Sequence, residues 1–305
     1  MASASDTGLS TSVLAELRRY MALYGVRRDR SGGASVVERA VVPESMRHLL
    51  EVPLPRKPLA VAVDVYGTIL ASASGECTAD APEGLAPSEG FPADMAQRLR
   101  SIVEHDHAEE RSRGIPWPEV DAPMVFARAL SMPLDALAYV QGARACVAWE
   151  CAMNPCVAMP GAADALRALA ACGLPLAVVS NAQFYSPLFV EAAFGVPLYG
   201  SGGLGFDPEL MLWSYVERRA KPDRWMFDEL SRRLGRRGVP VDRVLYVGND
   251  ALNDCAAAGE AGLMTALFAG DARSFKPRVG EPRVLATPPS TMVGSWDALR
   301  RITCT

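Results

Sequence analysis

Apolar residues fall along this chain in two rhythms. Leu59-Ala-Val-Ala-Val63 is uninterruptedly apolar and rich in valine, and Leu174 to Val179, Val244 to Val247 and Met264 to Phe268 repeat the pattern. Such runs read as strands buried on both faces, as in a parallel sheet. Met211 to Tyr215 predicts a further strand. Between these runs apolar residues recur at helical spacing over Pro160–Ala171, Pro187–Phe194, Pro222–Leu234 and Ala251–Ala261. Gly173 and Gly262 stop two of these helices, and Pro222 falls in the first turn of another. Strands alternating with helices imply crossover connections, and so an α/β fold of three layers around a parallel sheet.

One long stretch breaks the alternation. After a loop rich in Pro, Gly and Ala that ends near Pro92, three helices are predicted with no strand between them: Pro92 to Arg113, Glu119 to Ser131 and Pro133 to Cys151. They read as a helical module inserted into the α/β framework. The chain therefore divides into a leading extension (1–57), a core (58–80 and 157–305) and an inserted module (81–156). In the extension, residues 1 to 11 are small and polar and predict no packing. Val13, Leu14, Leu17, Tyr20, Met21 and Tyr24 predict a helix stopped by Gly25, and Ser35 to Leu50 a weaker one. The extension is expected either to pack on the core or to mediate a homodimer. The last 35 residues are Pro-rich, with one short helix over Ser295–Ile302.

Composition narrows the function. The 305 residues carry 31 basic and 35 acidic side chains, a net charge of −4, so no basic field exists to attract nucleic acid. No run of about 18 apolar residues predicts a membrane span. Seven cysteines without a CxxC pair, and only His48, His105 and His107, argue against zinc and for reduced thiols in a cytoplasmic protein. His105 and His107 lie two apart, on different helix faces, and His107 is read as a solvent-facing residue, with a place facing the cleft as the alternative.

The predicted strands end in chemistry. The first ends in Asp64, with Gly67 and Thr68 following; the second ends in Ser180-Asn181; a third ends in Gly248-Asn249-Asp250. Carboxyl ends of parallel strands share one sheet edge, where open α/β sheets bind ligands. Lys221-Pro222-Asp223 opens a helix, and Asp250 and Asp254 stand four apart across a strand-to-helix turn. A nucleophilic carboxylate, a hydroxyl, an ammonium and two further carboxylates suit an anionic small molecule, with Mg²⁺ held by hard oxygen ligands.

In this order the four stretches resemble the motifs of the haloacid dehalogenase superfamily of hydrolases, over about residues 58 to 270. The resemblance implies a Rossmann-like core with an inserted helical cap. It makes Asp64 the covalent nucleophile, Ser180 and Lys221 catalytic, and Asp250 and Asp254 the acidic fourth motif. Thr68, Asn181, Gln183 and Glu119 are the expected substrate contacts. Mg²⁺ would be held by Asp64, Asp250, Asp254 and the backbone carbonyl of Tyr66.

Tyr66 departs from the phosphatase pattern, which carries an acid two residues after the nucleophile. Asp64-Val-Tyr-Gly-Thr68 with Ser180-Asn181 and Lys221-Pro222 resembles instead the L-2-haloacid dehalogenases, which attack carbon and need no metal. Against that, close carboxylates without a cation repel and raise one pKa, so Asp250 argues for a metal. The expectation is a Mg²⁺-dependent phosphatase, with Glu76 or Glu119 supplying the missing proton donor. A metal-independent dehalogenase-like hydrolase and a non-catalytic ligand-binding relative are the alternatives.

Overall fold

The computed structural model describes residues 7–27, 37–74, 90–135 and 137–304. The chain opens with α1 (Thr11–Tyr20), capped by Ser10 and prolonged by a π-helical turn, Met21–Gly25. The central elements follow: β1 (Ala60–Val63), β2 (Leu70–Ser72), α2 (Met95–Ser112), α3 (Ala122–Ala129), α4 (Ala138–Met153) and β3 (Cys156–Ala158). Then come α5 (Ala162–Ala171), β4 (Leu176–Ser180), α6 (Ser186–Phe194), β5 (Phe206–Trp213), α7 (Ser214–Glu217), α8 (Trp225–Gly235) and β6 (Val244–Gly248). A π turn over Ala251–Ala256 leads into α9 (Ala257–Glu260), and β7 (Met264–Phe268), α10 (Pro282–Ala286), β8 (Thr291–Val293) and α11 (Trp296–Cys304) complete the chain. No helix among the described residues is long and apolar enough to cross a membrane.

Six parallel strands form one sheet in the order β5-β4-β1-β6-β7-β8. β1 is central and wholly buried, and its alternation divides the core. Val61 and Val63 face the cluster built with Leu166, Phe189 and Trp296, whereas Ala60 and Ala62 face the one built with Met226, Phe227 and Leu230. Side chains on a strand point alternately to the two sheet faces, so helices on both sides are required. The chain leaves β1 toward β4 on one side and reaches β6 on the other, which opens a crevice at the carboxyl ends of these three strands.

The inserted helices α2–α4 lie between β2 and β3, which pair antiparallel beside the sheet. Three-residue strands are too short to show a period, and neither was visible in the sequence. The leading segment packs on this protein's own helices. α1 contacts both α4 and α6, with Arg144 on Glu16 at 2.8 Å and Arg18 on Glu191 at 3.1 Å. A Cβ on Gly25 would stand 2.7 Å from both Cys151 Sγ and the Phe189 ring. Gly25→Val is expected to cost about 1–3 kcal/mol by overpacking, measurable as a lower melting temperature; an unchanged one would mean that this contact yields freely.

Three expectations are corrected. Of the helix read over Ser35–Leu50 only a 3₁₀ turn forms, Glu44–Leu49; residues 37–43 run irregularly beside the sheet, Ala40 N donating to the Ala269 carbonyl. Its apolar residues serve packing, Ala40, Val42 and Leu49 lying against Met292 and Leu267. The strand read at Met211–Tyr215 starts earlier, at Phe206, and Ser214 already begins a helix. Pro222 precedes α8, which starts at Trp225; Asp223 and Arg224 form the lead-in turn.

Candidate active site

β1 delivers Asp64 to the crevice, and the turn after it is tight. Gly67 sits at φ +81°, and a Cβ there would lie 2.5 Å from Asn249 Nδ2, so the position requires glycine. Thr68 Oγ1 donates to Asn249 Oδ1 at 3.4 Å, while the Trp296 indole donates to the Thr68 carbonyl at 2.9 Å. The C-terminal helix thus braces the turn after Asp64.

Lys221 is the hub. Its ammonium donates to Asp64 Oδ1 at 2.8 Å, to Asp254 Oδ1 at 2.5 Å and to the Tyr246 hydroxyl at 2.9 Å, using all three protons. Burial works against the charged ammonium, but Asp254 and Asp64 more than offset it, and the Lys221 pKa stands above the usual lysine value. Asp254 moves up to about 6: burial raises it, Lys221 opposes, and Asp64 and Asp250 add repulsion. Two carboxylates on one buried ammonium, with Asp250 beside Asp254, account for both directions. Asn181 fixes the lysine's backbone, accepting from Lys221 N at 2.7 Å and donating to its carbonyl at 3.0 Å. Ser180 is fully buried at the end of β4, its hydroxyl donating to the Asn181 carbonyl at 3.4 Å.

Asp250 is engaged elsewhere. It caps the turn after β6, accepting from Leu252 N at 2.9 Å and Asn253 N at 3.1 Å. Arg278 grips it with two bonds, Nε to Oδ1 at 3.1 Å and Nη2 to Oδ2 at 2.7 Å. Tyr66 directs its hydroxyl to Ser186 Oγ at 3.0 Å. Among the described residues no group of three His, Cys, Asp or Glu side chains is arranged to hold a metal ion. Arg278 holds both oxygens of Asp250, Lys221 and Asp250 N hold the two of Asp254, and Lys221 holds one of Asp64, so this carboxylate set as arranged does not fit the ion unless Arg278 moves.

Gln183 and Glu119 meet at the edge of the site. Gln183 Nε2 donates to Glu119 Oε1 at 2.8 Å, and Ser214 Oγ donates to Glu119 Oε2 at 2.6 Å. Burial raises the Glu119 pKa against these bonds. Both Glu119 oxygens are therefore bonded within the protein. Glu76 lies outside the described residues.

A cavity of about 420 Å³ adjoins this cluster. Asn181, Ala182 and Ala220 bound it from the sheet side, next to Ser180 and Lys221 in sequence. Leu99, Val103, Phe126 and Trp149 wall it from the inserted helices. His107, expected to face solvent, also lines it, as does Glu150. Glu150 had no signal in the sequence. Its Oε1 accepts from Asn154 Nδ2 at 2.7 Å, and Tyr185 bonds it as well; burial outweighs both and pushes its pKa up to about 7. Arg278, Tyr246, Ser214 and Trp296 were likewise invisible, since each acts on residues distant in the chain.

A family model described as haloacid dehalogenase-like hydrolase matches residues 59–262, more than half of the chain. A 2-haloacid dehalogenase from Pseudomonas syringae pv. Tomato DC3000 is similar with TM-score 0.54 at 18% identity, over 81% of this chain and 98% of its own. A dehalogenase solved with an intermediate complex gives 0.50 at 20% identity, over 83% and 100%. A predicted phosphoglycolate phosphatase from Haemophilus somnus 129pt gives 0.45 at 18% identity, over 82% and 99%. At such identities the likeness concerns the fold, which hosts many chemistries. No curated protein matches the sequence.

Proposed function

The chain belongs to the haloacid dehalogenase-like hydrolases, and from that premise we propose that it is a metal-independent hydrolase displacing a leaving group from carbon, as in a 2-haloacid. The observation that supports this most is the two-pronged contact of Arg278 with Asp250. The carboxylate that argued for a metal already has its cation. Three carboxylates then face two cations, Lys221 and Arg278. A phosphate dianion approaching Asp64 would meet excess negative charge, whereas a carbon electrophile carrying one negative charge or none meets less.

The reaction has two steps. A lone pair on an Asp64 carboxylate oxygen attacks the carbon, an ester forms, and halide leaves with the bonding electrons. Water then adds to the ester carbonyl; the 2-hydroxy acid departs, Asp64 is restored as carboxylate, and one proton is released. Lys221 orients Asp64 through the 2.8 Å contact, and Asn181 holds the lysine in place.

The second reading is the Mg²⁺-dependent phosphatase acting through an aspartyl-phosphate. What favours it is the closeness of Asp250 to Asp254, whose Oδ2 accepts from Asp250 N at 2.9 Å. Release of Arg278 would then be needed before an ion could enter. The deciding measurement is halide release from 2-chloropropanoate and phosphate release from phosphate esters, each with Mg²⁺ and with EDTA, Asp64→Asn serving as control. Halide release that survives EDTA and is lost in Asp64→Asn is expected. Mg²⁺-dependent phosphate release without halide release would transfer the assignment to the phosphatase. A small anionic molecule is the expected partner in either case, and a cytoplasmic location is part of this reading.

A further inference from the structure

We infer that Cys172 and Cys304 form a dithiol site that small-molecule disulfides oxidise to an intramolecular disulfide, fastening the C-terminal helix to the core. This modification site is independent of the reaction assigned to Asp64.

The two sulfurs stand 3.5 Å apart, although 132 positions separate them in the chain. Cys172 caps the end of α5, Cys304 closes α11, and these two helices pack on each other. Leu166, Leu169, Ala298 and Leu299 lie in one buried cluster, so core packing rather than the thiols themselves brings the helix ends together. Both cysteines are exposed, whereas Cys146, Cys151, Cys156 and Cys255 are buried. An oxidant in solution therefore reaches this pair and not the core thiols. A disulfide holds its sulfurs about 2.05 Å apart, which leaves roughly 1.5 Å to close. Cys304 sits in the last turn of α11, where a helix frays, and that turn can supply the shift.

The oxidant is a low-molecular-weight disulfide, RSSR, such as oxidised glutathione. One cysteine thiolate attacks a sulfur of RSSR, the S–S bond breaks, and RS⁻ leaves with the electron pair. The second thiolate attacks the protein sulfur of the mixed disulfide and expels the other RS⁻. Two protein thiols thus lose two electrons and two protons, and RSSR becomes two RSH. Burial and the adjacent Cys172 thiol raise the Cys304 pKa, with Arg300 and Lys57 opposing, so exchange is slow at pH 7 and is best followed at pH 8.

The link would secure α11 at the end opposite Trp296, whose indole donates to the Thr68 carbonyl in the turn after Asp64. It would also close a loop spanning 132 positions, and long loops restrict the unfolded chain most. The oxidised protein is therefore the more stable form.

The test incubates the full chain at pH 8 with oxidised glutathione or with dithiothreitol. Peptide mass spectrometry is expected to find Cys172 joined to Cys304 with two hydrogens lost, in a protein that stays monomeric on a non-reducing gel. The oxidised form should melt roughly 5 °C or more above the reduced form, and dithiothreitol should reverse the gain. Cys172→Ser and Cys304→Ser should each keep the melting temperature of the reduced wild type and lose the gain. Cys77 lies outside the described residues, and Cys77→Ser should keep the gain. Glutathione adducts on both cysteines without a link, dimers joined through either one, or no reaction at all overturn the inference. A link that forms and leaves the melting temperature unchanged overturns it as well, because α11 is then not fastened.

Discussion

Replacing Lys221 by Met should abolish turnover and destabilise the protein. The side chain is nearly isosteric, so the loss reports charge and hydrogen bonds. Lys221 is 5% exposed and bonded to Asp64, Asp254 and Tyr246. Breaking a buried pair leaves uncompensated carboxylates and costs about 3–5 kcal/mol. Losing the group that aims Asp64 should reduce kcat/KM by roughly 10³-fold or more. Stability and activity can then be separated. Adding Asp254→Asn to Lys221→Met removes one stranded charge, and should restore part of the denaturation midpoint while leaving the enzyme inactive. A single Lys221→Met variant that is both stable and active would mean that the lysine is a bystander.

Glu150→Gln should stabilise the protein, and only at neutral and alkaline pH. Its carboxyl is 3% exposed and its pKa is raised by burial from 4.5 to about 7. The folded state thus binds more protons than the unfolded state between those values. By linkage, stability falls as pH rises from about 4.5 through 7, and the full penalty is present above pH 7. A carboxyl displaced that far carries a penalty of about 3 kcal/mol. Glutamine can accept from Asn154 Nδ2 as Glu150 does and carries no charge. At pH 8 the variant should melt roughly 5 °C or more higher than the wild type, with the gap closing toward pH 5. An identical gap at both pH values would place the effect in packing rather than in ionisation.

Sequence pattern and final structure agree where both obey the same local rule. β1, β4, β6 and β7 are buried on both faces, so each appears as an unbroken apolar run, and the residue after each run falls at the sheet edge. That rule brings Asp64 and Asn181 to one edge, while Lys221 arrives from the turn before α8 and Asp254 from the turn after β6. It fails where function depends on partners far along the chain. Asp250 reads in the sequence as a metal ligand, and its contact with Arg278, 28 positions on, has no local signature. His107 looked exposed because its face of α2 is polar, and only the arrangement of α2 against α4 turns that face to a cavity. β8 is three residues within a Pro-rich tail, beneath the length at which alternation is visible.

The leading helix has a consequence for how this molecule breathes. α1 and the turn after it lie against α4 of the inserted module and α6 of the sheet layer at once, with Leu14, Leu17 and Met21 in the shared core. It is a tie rod between the inserted module and the sheet layer. Swinging the inserted helices away as one piece would uncover those three side chains, and each is worth roughly 1.5–3 kcal/mol when buried. The Arg144–Glu16 and Arg18–Glu191 pairs add little to that, being partly exposed. Traffic of substrate and product is therefore cheaper through local flexing of α2 and α3, which the rod engages less than α4, than through a hinge that must first uproot it.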